Sequence, residues 1–260
     1  MRQAELQLRT TTDGSTTLYD ARRQLYFRSR HGAATESRGV FVGATGVVTR
    51  HARPVRILEL GFGGATNFCE TVAALMASGR HLVSPAQTLD YLAVDAAPAP
   101  PQWLHHPCAE AVQTARAAAS GVQAEWSHRC TVEAAALGVR LTLIRAPFTQ
   151  LPSHPLAAHA IYFDPFAPRV DPESWSVEIF RSVRRHMHAD GVLSTYSAAS
   201  WIRRNMQAAG LIVARAPAPK PKREMTIAAC QEHVLRTQLP AALAAQTRLW
   251  RAGRAPENVP

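Results

Sequence analysis

The chain has 260 residues, 47% of them hydrophobic, and carries a net charge of +10. A chain of this size can bury a full core, and it contains no uninterrupted apolar run of the ~18 residues a membrane span requires. Composition therefore excludes a helical membrane protein and points to one large domain, or one domain with an appendage.

Residues 1–50 mix Thr, Gly and Arg with short apolar groups (Leu18-Tyr19, Leu25-Tyr26-Phe27, Val40-Phe41-Val42), which predicts an antiparallel β appendage. The opening Met-Arg-Gln-Ala-Glu-Leu-Gln-Leu has no apolar stretch of the secretory kind. Cys69, Cys108, Cys130 and Cys230 are scattered without a Cys-x-x-Cys pair, so reduced thiols in a cytoplasmic protein are expected. His105, His106 and Cys108 are too close in sequence to share one side of a helix or strand, and no metal site is expected.

Residues 56–68, Arg-Ile-Leu-Glu-Leu-Gly-Phe-Gly-Gly-Ala-Thr-Asn-Phe, are the most informative stretch. A strand over 55–60 passes through Gly61, Gly63 and Gly64 into a helix over 65–78. Glycines at such a turn admit positive φ and remove the Cβ atoms that would hold a ligand away. The dinucleotide fingerprint would need a glycine where Thr66 stands. Glu59, two residues before the first glycine, suits a ligand with cationic or hydroxyl groups better than a pyrophosphate. S-adenosylmethionine (SAM) has both. A tight βα connection with no ligand remains the competing reading.

A second strand, 89–94, ends at Asp95, whose carboxylate could accept ribose hydroxyls. After a Pro-rich stretch at 98–107, an alanine-rich segment from about 108 to 136 is predicted helical, with an interruption near Gly121. Strands at 139–144 and 160–163, helix 172–187, strand 191–196 and helix 198–209 follow. Strands 211–215 and 225–229 and a last helix 231–251 complete the chain. The alternation predicts a mainly parallel sheet with helices on both faces. From Arg181 onward there are 13 Lys and Arg against 4 Asp and Glu, a basic C-terminal part that favours a polyanionic partner such as tRNA. Arg203 and Arg204, beside Trp201 and Ile202, are candidates for an exposed basic stripe on their helix; ordinary surface is the alternative.

The second chemical stretch is Ile161-Tyr162-Phe163-Asp164-Pro165-Phe166-Ala167-Pro168. It delivers Asp164 to the C-terminal end of a strand, where ligands gather in open α/β sheets. Prolines stiffen the loop, and Phe166 offers a face for a base. An acceptor oxygen there can orient the N–H bonds of an amine in line with a sulfonium methyl. The alternative is a helix-capping Asp164 with Phe166 in the core.

Together these blocks resemble the bacterial MnmC/MnmD tRNA methyltransferases. Glu59-Leu-Gly61-Phe62-Gly63-Gly64-Ala65-Thr66-Asn67-Phe68 is similar to the family's Glu-Thr-Gly-Phe-Gly-Thr-Gly-Leu-Asn-Phe. Asp164 to Pro168, with Asp171-Pro172 and Trp175, resembles its Asp-(Gly/Ala)-Phe-(Ala/Ser)-Pro segment, and Lys222-Arg223-Glu224-Met225 matches a further block. Asp13-Gly14-Ser15 and His31-Gly32-Ala33 with Glu36-Ser37 look like the single-domain form. The similarity runs through most of residues 12–229. It implies a Rossmann-like class I SAM-dependent methyltransferase sheet (α/β) and transfer of a methyl group to the 5-aminomethyl group of wobble 2-thiouridine in tRNA. The implied organisation is an N-terminal β appendage at 1–50, the methyltransferase domain at 51–230 and a C-terminal helical extension at 231–260.

The resemblance implies Asp164 as the catalytic group. Glu59, Gly61, Phe62, Gly63, Gly64, Asn67 and Asp95 would hold the donor. His31, Phe166, Lys222 and Arg223 would face the acceptor. SAM is the implied methyl donor, with no flavin, no metal and no membrane partner; a separate oxidase or modification complex would supply the aminomethyl substrate. Several positions depart from the family. Ala65 stands at the third glycine, Gly43-Ala44-Thr45 replaces Glu-Gly-Asn, Arg145-Ala146-Pro147 lacks an acidic residue for adenine, and Pro165 replaces a small residue. These keep open an N-methyltransferase of a small amine or peptide, or a catalytically silent RNA-binding relative.

Overall fold

A computed structural model describes residues 6–50, 54–78, 89–97, 129–134 and 139–251. Strands β1 (Leu6–Thr10), β2 (Thr16–Asp20) and β3 (Leu25–Tyr26) form a small antiparallel sheet. Its first turn is organised by Asp13. One carboxylate oxygen accepts from Ser15 and Thr11; the other accepts from the Thr35 amide at 2.9 Å and hydroxyl at 2.7 Å. The hairpin is thereby fastened to helix α1 (Ala33–Glu36).

The β expectation for residues 1–50 holds only to residue 26. Val40-Phe41-Val42, expected as a strand, lies in a π-helical turn, Ser37–Gly43, that continues α1. All three side chains are buried against the main sheet, and the Ser194 hydroxyl donates to the Val40 carbonyl. An apolar triplet can be buried from a helical turn as well as from a strand, and packing chose the former.

The main sheet comprises β4 (Val55–Leu60), β5 (Leu89–Asp95), β6 (Arg129–Ala134), β7 (Val139–Arg145), β8 (Ala158–Phe163), β9 (Met187–Thr195), β10 (Ile212–Pro217), β11 (Glu224–Ala229) and β12 (Arg248–Leu249). Its order is β12-β10-β11-β9-β8-β4-β5-β7-β6. Five central strands, β7-β5-β4-β8-β9, are parallel, and the flanking ones are antiparallel. Chain order reverses about β4, which opens a crevice between the C-terminal ends of β4, β5 and β8.

Side-chain alternation sorts the core onto two faces. Ile57, Tyr91 and Tyr162 point to the face covered by α2 (Thr66–Ala77) and the π-helical turn. Leu58, Leu60, Ile161 and Phe163 point to the face covered by α3 (Val177–His186) and α4 (Ser200–Ala208). Ser176 caps α3 by accepting from the Ile179 amide.

Two further expectations are corrected. Residues 129–134, placed in an alanine-rich helix, form β6, antiparallel to β7; pairing along an open sheet edge overrode local helix propensity. The rest of 98–128, with the metal question at His105, His106 and Cys108, lies outside the described residues. The single helix over 231–251 is instead α5 (Val234–Thr237), α6 (Ala241–Gln246) and β12. Pro240 breaks it, since a proline ring cannot continue an α-helical ladder. Among the described residues no helix is long and apolar enough to cross a membrane.

Candidate active site

The chain leaves β4 through a turn whose geometry its glycines dictate. Gly61 has φ +96°, and a Cβ there would sit 2.3 Å from the Asp164 carbonyl oxygen. Backbone bonds close the crossing: the Gly61 amide donates to Val94 at 3.0 Å and the Asp164 amide to Leu60 at 2.8 Å. Gly63 also has positive φ, and its amide donates to the Asp95 carboxylate at 2.9 Å. The other Asp95 oxygen accepts from the Ala97 amide. Burial pushes the Asp95 carboxyl above its ordinary range, against the pull of these amides. Ala65, at the position of the family's third glycine, holds a left-handed φ of 65° just before α2.

These elements frame a cavity of about 450 Å³, within the range of small-molecule sites. Gly61, Gly63, Gly64 and Asp95 line it together with Asp164, Pro165 and Phe166. Pro147 and Phe148, from the loop after β7, and Phe27 and Arg28, from the appendage, complete the rim. The loop 164–166 is held rigidly. The Pro165 carbonyl accepts from the Tyr196 hydroxyl at 2.9 Å and the Phe166 carbonyl from Trp175 Nε1 at 3.0 Å. Phe166 meets Phe27 edge-on, with ring centroids 5.2 Å apart.

Asp164 is the outer member of a buried charge cluster. Asn67 Nδ2 bridges two carboxylates, donating to Glu59 Oε1 at 2.7 Å and to Asp164 Oδ2 at 3.0 Å. The Tyr91 hydroxyl donates to Glu59 Oε2 at 2.8 Å. The Arg28 guanidinium forms an ion pair with Asp164 and stands 3.7 Å from Glu59. Burial pushes Glu59 up to about 8 and Asp164 up to about 7, with Arg28 opposing both shifts.

The predicted residues thus divide. Gly61, Gly63, Gly64, Asp95, Asp164 and Phe166 share the cavity. Glu59, Phe62 and Asn67 are buried behind its wall, because alternation along β4 turns Glu59 toward α2. Lys222 stands off the cavity, paired with Glu36, its Nζ 4.4 Å from the Tyr196 ring centroid. His31 and Arg223 are exposed and off the cavity. Arg203, a candidate for an exposed stripe, is buried; it donates to Thr226 at 2.9 Å and to Glu224 at 2.8 Å. Arg204 and Trp201 are exposed on that helix. Sequence reasoning missed Arg28, Phe27 and Phe148. Two acidic residues at adjacent strand ends of one core were a signal for Arg28, since buried carboxylates call for a cation.

A parallel sheet reversing about β4, a glycine turn, an acidic end to β5 and a carboxylate loop after β8 define a class I SAM-dependent methyltransferase. Comparison with known proteins agrees. The pattern of a family described as S-adenosyl-L-methionine-dependent methyltransferase matches residues 108–231. The bifunctional protein MnmC of tRNA 5-methylaminomethyl-2-thiouridine biosynthesis from Ralstonia nicotianae is 30% identical over 252 residues, covering 94% of this chain and 35% of that protein. Its counterpart from Cupriavidus metallidurans is 29% identical, covering 82% and 32%. The chain spans about a third of the length of these curated relatives. Among solved structures, MnmC2 from Aquifex aeolicus superposes with a TM-score of 0.65 at 20% identity, covering 88% of this chain and 72% of that one. Spermidine synthase from Thermotoga maritima superposes at 0.51 and 9% identity, covering 89% and 71%, and shares the fold. The chain carries an MnmC-like, SAM-dependent methyltransferase domain.

Proposed function

We propose that the chain methylates a primary amine, the 5-aminomethyl group of wobble 2-thiouridine in tRNA. The observation that carries this reading is the Asp164 carboxylate, on a loop tied down by Tyr196 and Trp175 and lining one cavity with the Gly61–Gly64 turn. The names of the MnmC relatives supply the acceptor. SAM supplies a methyl carbon made electrophilic by its sulfonium.

The chain's part is to align and to manage a proton. Gly61, Gly63 and Gly64 present backbone without side-chain obstruction, and Asp95 keeps acceptor capacity for the donor's hydroxyls beyond its two amide bonds. The half-buried Phe148 and Phe166 offer apolar faces to the adenine and to the acceptor base respectively. Glu59 and Asn67 act from behind the wall, holding Asp164. The acceptor nitrogen must present its lone pair, so it reacts neutral; an ordinary alkylamine, with a pKa of about 10, is mostly protonated at pH 7. Asp164 accepts one N–H bond and so aims the lone pair at the methyl carbon. As the N–C bond forms and the C–S bond breaks, with its electrons left on sulfur, the surplus proton passes from nitrogen to Asp164. Alignment carries much of the rate, and the step needs neither flavin nor metal.

In this reading residues 1–50 are the appendage, 51–230 the catalytic domain and 231–260 the extension. Exposed His31 and Arg223 face the RNA, while Lys222 supports the acceptor side through Glu36. The chain works in the cytoplasm, where a separate oxidase or modification complex supplies the aminomethyl group. The test is to incubate the chain with SAM and tRNA bearing 5-aminomethyl-2-thiouridine and to analyse the nucleosides by mass spectrometry. Gain of one methyl on that nucleoside is expected. Methylation of a free small amine or a peptide, with the tRNA untouched, would overturn the assignment. Binding to tRNA should weaken steeply with added salt, because phosphate contacts release counterions.

A further inference from the structure

Arg28 comes from the appendage, yet its guanidinium lies at the heart of the site. It is buried, its side chain 6% exposed, and it closes the cavity beside Asp164. Its backbone is anchored by its amide donating to the Thr17 hydroxyl at 3.0 Å, and its guanidinium carbon sits 5.3 Å from the Phe41 ring centroid. Burying an arginine is costly, so the question is which carboxylate needs it.

Hydrogen-bond bookkeeping answers. Both Glu59 oxygens already have neutral donors, Asn67 on Oε1 and Tyr91 on Oε2. Asp164 has the shared Asn67 amide and the Arg28 ion pair. The guanidinium is in direct contact with Asp164 and 3.7 Å from Glu59. Arg28 therefore serves Asp164.

Resting on the amine-methylation reading, we propose that Arg28 is the positioning residue for Asp164: it presents that carboxylate to the cavity as an anion and sets a permanent positive charge beside the acceptor nitrogen. Two consequences follow for the reaction. Arg28 holds the Asp164 carboxyl below where burial alone would put it, so an anionic proton acceptor is available near neutral pH. The fixed cation also offsets the pull of the Asp164 anion toward a protonated amine, so the pair does not hold the acceptor in its unreactive charged form. The other groups facing Asp164 are Glu59 from β4, Glu36 from α1, Lys222 from the β10–β11 hairpin and Tyr196 after β9. Glu36 and Lys222 are paired with each other, which leaves Arg28 as the cation in contact with Asp164.

The experiment labels aspartate carboxyl carbons with ¹³C in the full chain, assigns Asp164 by its loss in Asp164→Asn, and titrates it by NMR in the wild type, Arg28→Gln and Arg28→Lys. Arg28→Gln should move the Asp164 midpoint upward by more than about one pH unit, the scale of an opposite charge at contact, while Arg28→Lys stays near wild type. The rising limb of the pH profile of kcat/KM for amine methylation should move the same way in Arg28→Gln and return in Arg28→Lys. A folded Arg28→Gln that titrates like the wild type would overturn the proposal. If Arg28→Gln does not fold, an Asp164 midpoint raised by a full unit in Arg28→Lys would overturn it, since the charge is still present. A wild type that methylates no amine would sink the acceptor assignment and leave the titration to decide the role of Arg28.

Discussion

Gly61 and Asp164 meet backbone to backbone, so closely that a methyl group on the Gly61 α-carbon would lie 2.3 Å from the Asp164 carbonyl oxygen. The glycine turn and the 164–166 loop are therefore one mechanical unit, joined where β4 and β8 run side by side. Gly61→Ala should lose at least about 2 kcal/mol, from the disfavoured positive φ and the displaced loop. Urea unfolding reads that loss, and calorimetry should find donor binding greatly weakened. Ala65→Gly, at the left-handed position four residues on, should stay within about 1 kcal/mol of wild type, since relief of φ offsets the lost methyl burial and added chain entropy.

Removing the charge of Asp164 without its shape isolates its chemical part. Asp164→Asn should leave SAM affinity within a few fold and lower methyl transfer by roughly 10²-fold or more, the range for a positioned proton acceptor. A labelled-methyl assay beside calorimetric titration separates the two. Unaltered turnover would refute the role of Asp164.

The raised carboxyls of Glu59 and Asp164 give stability a direction with pH. Their folded values, about 8 and about 7, exceed the ordinary 4.5 and 3.8. The folded state thus binds more protons, and the stability they contribute is complete below the ordinary values and is lost as pH rises through 7 and 8. His159, held down to about 4 by burial, acts in the opposite sense below pH 6.5, so the clean window lies above that. Denaturant midpoints from pH 6.5 to 9 should fall for wild type and fall less for Glu59→Gln, which keeps the shape but not the ionisation. Parallel curves would count against the buried-proton description.

Arg203 and Glu224 tie α4 to the start of β11, and this pair is structural. Arg203→Ala should cost about 2 kcal/mol, the scale of hydrogen bonds to a charged group plus a buried Thr226 hydroxyl left with fewer partners. Arg204→Ala, on the exposed side of the same helix, should stay within about 0.5 kcal/mol. Thermal unfolding of the two variants compares them directly, and equal losses would show that burial does not distinguish them.

Much of the cavity wall was legible in the chain because its signals are local. An apolar strand ending in glycines, an acidic residue closing the next strand, and Asp164-Pro165-Phe166 after a third each need only a few neighbouring residues to be read. Parallel strands buried on both faces then place all three at the same sheet edge. Local signals failed where non-local pairing or packing chose the outcome: Val40-Phe41-Val42 went into a helical turn, 129–134 paired along the β7 edge, and Arg203 turned inward.

Composition, strand–turn–helix punctuation and the order of the blocks by themselves determined the fold class and picked out the Gly61–Gly64 turn and Asp164 as site candidates. Only the tertiary structure decided that Glu59 and Asn67 stand behind the wall, that Lys222 is spent on Glu36, and that Arg28 pairs with Asp164. The reason is physical. Periodicity reports which face a side chain takes within its own element, whereas a buried charge is answered by whichever opposite charge the fold brings within contact, here from a bend 136 residues away in sequence.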